Sequence, residues 1–263
     1  MSVPMKLAIE NAHPCDEHIT FDEGPHLYTV HGEGGYVSVT TFIHKNFSHF
    51  DPDEVIAGLE KKGKLNDPTY KYYAMTPEQI KQIWHENGQL ASGSGTKMHY
   101  DIECYYNGLI PKNDSLEYKY FENFLRDFPE LKAYRTEWMV YDEPSKIAGS
   151  IDMVFDSPEG LQIYDWKRVK DIKYEDDWNN KMGKIECLKH LPDTNFWHYS
   201  LQLNTYRYIL EKNYGKKIVG MYLICLHPEN PSKNYQRVKV HDLRKEVEEL
   251  FEYRKREVME QKV

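Results

Sequence analysis

The chain has 263 residues, with 40% hydrophobic and 29% charged side chains, a balance that fits a soluble globular protein and not a disordered or membrane-embedded one. Its net charge of −8 excludes a protein coated in basic residues that grips nucleic acid anywhere on its surface, but allows a local basic groove or carboxylates that await cations. The four cysteines, Cys15, Cys104, Cys187 and Cys225, form no C-x-x-C pair. That argues against cysteine-built zinc and iron–sulfur sites and for free thiols in a reducing, cytosolic or nuclear-type compartment. No basic-then-apolar leader opens the chain and no run is long enough to span a membrane, so secretion is not expected.

The first part is rich in loops. "HITFDEG" and "HLYTVHGEGG" read as a short hairpin with glycine turns. "SVTTFIHKNF" follows as a short helix opened by Ser38. "DPDEVIAGLEKKG" has an Asp cap, proline in its first turn and glycine at its end, which are helix boundaries. "TPEQIKQIWHENG" repeats the design with a Thr76 cap, Pro77 and a closing Gly88. The glycine- and serine-rich "ASGSG" reads as a break before a further helix, "TKMHYDIECYYNG". "SLEYKYFENFLRDF" is an amphipathic helix with Tyr and Phe on one face.

From residue 132 the pattern changes to strands. "LKAYRTEWMVYD", "KIAGSIDMVFD" and "GLQIYDWKR" are three candidates, the last two joined through "SPEG" as an antiparallel hairpin. Residues 168–194 show no clear pattern. "NFWHYSLQLNTYRYILEKNYG" is a long helix ending at Gly215, followed by strands in "KIVGMYLICLH" and "YQRVKVH" and a charged C-terminal helix. Helices first, then a mixed sheet with a helix in mid-run, give an α/β core carrying an N-terminal, mainly helical part. The expected division is residues 1–91 for the N-terminal region and 92–263 for the core.

Two acids stand inside strand runs, where a carboxylate is costly unless something pairs with it. Asp165 and Lys167 are two apart, so they share a strand face, with Trp166 opposite. Asp152 lies on the neighbouring strand and can face Asp165. Asp156 sits beside the turn and reads as a turn residue. Two carboxylates and an ammonium on one face suit a structural salt bridge, a glycosidase pair or a divalent-metal site. The glycosidase reading needs one acid protonated, whereas a neighbouring lysine holds both ionised. A hard cation takes one or two carboxylates with waters and substrate phosphate, and the lysine then acts on the attacking water.

Other spacings bear on the choice. His99 and Glu103 are four apart on a predicted helix and share a face, as do Gln202 and Tyr206. Glu137 lies on the strand before the hairpin. In order, the chain reads G-T-x-x-H-x-x-x-E, then E, then G-x-x-D, then D-x-K, then Q-x-x-x-Y. Carried by Gly95, Thr96, His99, Glu103, Glu137, Gly149, Asp152, Asp165, Lys167, Gln202 and Tyr206, this series resembles the PD-(D/E)XK nuclease superfamily. The branch is the one with the RecB nuclease domain and related viral and mitochondrial exonucleases. The resemblance runs from about residue 92 to 210; "YVSVTTFI" also looks like the opening of stand-alone members.

The resemblance implies a restriction-endonuclease-like core, a central mixed sheet flanked by helices. It implies that Asp152 and Asp165 hold one or two Mg²⁺ or Mn²⁺ ions, with the Trp166 backbone carbonyl and His99 completing the sphere. Glu137 would place a second ion or orient the lysine, and Lys167 would position the nucleophilic water. Gln202 and Tyr206 would contact substrate phosphates or steady the site, with Thr96, Arg168 and Lys170 as further substrate contacts. The "PD" is "ID" here and the second acid is Asp, changes that keep the ligand chemistry; the cysteines some relatives use for an iron–sulfur cluster are absent.

The expected activity is metal-dependent hydrolysis of DNA, from free ends, with single strands slightly favoured. Seven cations follow the catalytic strand, from "KRVKDIK" to Lys181, Lys184 and Lys189, and either meet phosphates or form a solvated face. Trp178, Trp197 and Tyr199 either stack on exposed bases or pack in the core. An RNA endonuclease of the cap-snatching type, a non-catalytic nucleic-acid-binding module and a purely structural acid network are the alternatives. Replication or recombination proteins are candidate partners, and the lack of a helicase portion leans toward viral or mobile-element genome processing over repair.

Overall fold

The computed structural model describes residues 5–175 and 180–261. Its chain forms two compact units. One comprises the segment up to Ser48 together with the chain from Met98 onward, and the other is His49–Lys97. The units therefore divide at 48/49 and 97/98, where the sequence suggested a single division at 91/92.

In the larger unit, α1 (Lys6–Glu10) precedes a hairpin of β1 (Ile19–Asp22) and β2 (Leu27–Val30), then β3 (Val37–Ser38) and α2 (Val39–His44). The Ser38 side chain accepts the Thr41 amide and so caps α2 as its sequence indicates. After α5 (Leu116–Asp127) come the strands β4 (Lys132–Asp142), β5 (Ile147–Ser157) and β6 (Gly160–Lys167). The chain then runs through α6 (Asn195–Asn213), β7 (Ile218–Cys225), β8 (Gln236–Lys239) and α7 (Arg244–Glu260). The six-stranded sheet runs β3-β5-β6-β7-β8, with β4 also paired to β5. It is mixed: β4–β5, β5–β6 and β7–β8 are antiparallel, β3–β5 and β6–β7 parallel. The parallel pair β6–β7 needs a crossover, and α6 supplies it.

Both faces of this sheet are covered, giving the α/β architecture expected, a mixed sheet flanked by helices. On one face Ile163 and Leu223 pack with Leu201 and Ile209 of α6 and with Phe251 of α7. On the other, Phe155, Tyr164 and Trp166 pack against Phe121 and Phe124 of α5 and Met98 and Ile102. The aromatic stripe of α5 is thus core, and its Ser115 cap accepts the Tyr118 amide.

The smaller unit has its own core, with Ile56 and Leu59 of α3 (Pro52–Lys61) against Leu65, Tyr72 and Ile80. Asp51 caps α3 by accepting the amides of Asp53 and Glu54. Thr76 and Gln79 form a reciprocal capping box, each backbone amide donating to the other's side chain.

That box opens α4, where the structure corrects the sequence. α4 is one helix of 30 residues, Pro77–Tyr106, running through Gly88 and "ASGSG" without a break. Gly88, Gly93 and Gly95 all lack the positive φ that would end a helix, whereas Gly108, beyond the last turn, has φ +87. Glycine lowers helix propensity without forbidding helix, and the capped first turn carries propagation through the weak segment. A Cβ added at exposed Gly88 meets nothing within 4 Å. Gly88→Ala should therefore stabilise the protein by about 0.5–1 kcal/mol in urea unfolding; a loss of stability would place a helix end at this position.

Candidate active site

The site forms where β5 and β6 separate. Their ladder runs from Ser157↔Gly160 to Met153↔Tyr164 and stops. β4 follows β5 along its whole length on one side, so β3 and β6 share the other, with β3 reaching only Ile147 and Ala148. An open fork is left between them. Continuing the register sets Asp152 opposite Asp165, and there the Trp166 amide donates to Oδ2 of Asp152 at 2.9 Å. Asp165 and Lys167 take the α6 side of β6. Trp166 turns its indole into the opposite core, its ring 5.5 Å from those of Phe121 and Phe124.

α6 closes the fork. Tyr206 lies so close to Gly149 that a Cβ there would sit 3.0 Å from its ring and hydroxyl, and the ring would have to yield to admit one. Gln202, one turn earlier, accepts from Lys167 Nζ at 3.1 Å. The Q-x-x-x-Y spacing thus sets one side chain on the lysine and the other against the strand that carries Asp152.

β4 supplies Glu137. Its neighbours pair as Thr136↔Met153 and Trp138↔Ile151, which sets it level with Asp152. Its φ is +43, a left-handed conformation that a glutamate in mid-strand adopts at a cost of about 1–3 kcal/mol. The carboxylate is held by Ser150, whose hydroxyl donates to Oε2 at 2.8 Å. From α4, His99 Nδ1 stands 3.5 Å from Asp152 Oδ2 and 3.9 Å from Glu137 Oε1. One ligand atom from each of His99, Glu137 and Asp152 lies within 4.8 Å of the others, close enough to share one ion.

Asp165 is more deeply placed, with 3% of its side chain exposed, and its Oδ2 is 2.8 Å from Lys167 Nζ. The buried carboxylate is thus compensated by the Lys167 ammonium through an ion contact.

The electrostatics agree. Burial first, and then the Asp165 charge, push Asp152 from its ordinary 3.8 to about 7, against the pull of His99 and Lys167. Burial opposes charge on His99, but Asp152 and Glu137 outweigh it and raise the imidazole from 6.5 to about 9. Lys167 is raised too, its burial outweighed by Asp165 and Asp152. Glu103, on α4 one turn from His99, is driven to about 7 by burial and by Glu137. The acids thus exceed the positive charge available to them, a condition that a divalent ion relieves. Carboxylates with one imidazole are donors suited to a divalent ion.

Several expected residues have partners of their own. Arg168 donates to Glu117 of α5 at 2.7 Å, a partly buried ion pair. Lys170 meets Glu229 at 2.9 Å in the open. Thr96 belongs to the smaller unit, where its hydroxyl donates to the Ser92 carbonyl. Asp156 is exposed beside the β5–β6 turn. The indole of Trp197 donates to the Tyr174 carbonyl and packs on Phe196 and His241, and Trp178 lies outside the described residues. One neighbour of the site was missed. Ser150 was legible as two residues before Asp152 on the same strand face. Tyr199, expected to stack on bases or pack in the core, has its ring 4.5 Å from Lys167 Nζ.

No family model matches the chain, and no curated protein matches it. Among solved structures, a "putative exonuclease" from Eubacterium rectale is similar at 15% identity, over 86% of this chain and 79% of that one, with a TM-score of 0.39.

The raised groups bind protons more tightly folded than unfolded. The stability they give is present at low pH and lost as pH rises, from 3.8 to about 7 for Asp152 and from 6.5 to about 9 for His99. With EDTA present, Tm should fall over that range, and less steeply in Asp152→Asn. Mn²⁺ should restore more stability at high pH, where fewer protons compete, reaching about 2.7 kcal/mol at a hundredfold excess over Kd. A Tm indifferent to Mn²⁺ at every pH would remove the metal assignment.

Proposed function

We propose that this chain is a Mg²⁺- or Mn²⁺-dependent deoxyribonuclease of the PD-(D/E)XK kind. The observation that carries the reading is the convergence of His99, Glu137 and Asp152, from a helix and two strands, beside an Asp165–Lys167 pair held by Gln202. A salt-bridge network alone does not account for it, because the acids around His99 outnumber their cations.

In this reading His99, Glu137 and Asp152 hold the ion, with the Trp166 amide fixing Asp152. A bound divalent ion polarises the scissile phosphate and lowers the pKa of water. Lys167 directs its ammonium to the attacking water and to the charge that grows on the phosphate. Gln202 steadies that ammonium, and Tyr206 is a wall of the fork, not a phosphate contact, since it is 4% exposed. Arg168 is committed to a partly buried pair with Glu117, whereas the Lys170–Glu229 pair is solvent-exposed and exchangeable, which makes Lys170 the stronger candidate for a backbone phosphate. Action from free ends, with single-stranded DNA slightly favoured, rests on the family resemblance of the sequence.

The test is a time course on end-labelled linear DNA, single- and double-stranded, beside a closed circle and labelled RNA, with Mg²⁺, Mn²⁺ or EDTA. Metal-dependent loss of linear DNA with the circle spared is the expected result. Nicking of the circle makes the protein an endonuclease, cleavage of RNA alone moves the substrate to RNA, and no cleavage at all leaves a binding module. Lys167→Ala should cut turnover by at least about 10²–10³-fold while keeping metal and DNA binding. Asp152→Asn should lose both turnover and tight metal binding, and appreciable activity in it would sink its assignment as a ligand.

A further inference from the structure

The Lys167 ammonium is held on three sides. Asp165 Oδ2 lies at 2.8 Å, Gln202 Oε1 accepts at 3.1 Å, and the Tyr199 ring lies under Nζ at 4.5 Å from its centroid. Among the described residues, Gln202 accepts one N–H and the ion contact with Asp165 draws a second toward its carboxylate. The third N–H is left to direct. A lysine stem is flexible, and two contacts on one side of its tip do not fix where the third N–H points. The Tyr199 ring supplies the missing constraint. Its face carries the negative end of the ring quadrupole and attracts the ammonium, most strongly where water is scarce, and the Lys167 side chain is 18% exposed.

The placement follows from the helix. Tyr199, Gln202 and Tyr206 stand at i, i+3 and i+7 on α6, one face of the helix. Tyr206 seats that face against Gly149, and the other two then meet the lysine from one rigid element.

We propose that Tyr199 is a positioning residue of the hydrolytic step. Its ring face orients the Lys167 ammonium toward the attacking water, and the face does this without the hydroxyl. The inference rests on the nuclease reading above and adds a residue to it.

The experiment compares Tyr199→Phe and Tyr199→Leu with the parent for kcat on labelled linear DNA. It also measures DNA affinity in Ca²⁺ and the Tm shift with Mn²⁺. Phe keeps the face and should hold kcat within about threefold. Leu keeps apolar bulk but loses the face, and should lower kcat by about ten- to thirtyfold, the range of a partly desolvated cation–π contact. DNA affinity and the Mn²⁺ shift should stay near the parent's in both. A thermal double-mutant cycle of Tyr199→Leu with Lys167→Met should show coupling between the two positions. It also serves if Tyr199→Leu is too unstable for kinetics, because Tyr199→Met can take its place. An active parent with Tyr199→Leu unimpaired overturns the inference alone. So does Tyr199→Phe falling as far as Leu, which would give the role to the hydroxyl, or a cycle without coupling. A parent inactive on every nucleic acid overturns the nuclease reading, and this inference with it.

Discussion

The site depends on one hydrogen bond, from the Trp166 backbone amide to the Asp152 carboxylate at the point where β5 leaves β6. A strand pair that ends inside a covered sheet leaves backbone groups without partners, and those must be satisfied. Here a side chain on the departing strand takes one of them. Asp152 is thereby anchored in a place where an unpaired carboxylate would not persist, and Asp165 comes to the same level without any direct bond between the acids.

What the anchor creates is a surplus of buried negative charge. Burial first, and then the neighbouring acids, raise the proton affinities of Asp152 and Glu103, and the acids raise His99 against its burial. The surplus is sustained by rigid surroundings: two hydrophobic cores enclose the sheet, one on each face. A site of this kind is less stable than a neutral one of the same shape, and the left-handed Glu137 on β4 adds to the cost. Like charge gathered at one place is a condition that a cation would relieve.

α6 has two roles that the fold makes inseparable. It is the crossover that lets β6 and β7 run parallel, and its inward face carries Tyr199, Gln202 and Tyr206 to the lysine and the fork. The same ridge is a core element, with Leu203, Ile209 and Leu210 fully buried. Small shifts of α6 would therefore move the ammonium and the sheet together, and this ties the geometry at Lys167 to the packing of the larger unit.

Much of this was legible in the chain. Asp165 and Lys167 share a face because strand side chains alternate, and His99 with Glu103, or Gln202 with Tyr206, share one because helices repeat every 3.6 residues. The caps at Ser38, Asp51, Thr76 and Ser115 are local hydrogen bonds between residues two or three apart, so their positions could be read directly. Gly88 misled because propensity is a weak term that the continuity of a long helix overrides. Arg168 looked available for substrate because Glu117, its partner, is 51 residues away. By itself the sequence determined which side chains share a strand or helix face, since covalent geometry sets those periods. Only the tertiary structure decided which faces meet, where β5 and β6 part, that Glu137 turns left-handed and that Tyr199 backs the lysine, since each depends on contacts between residues remote in the chain.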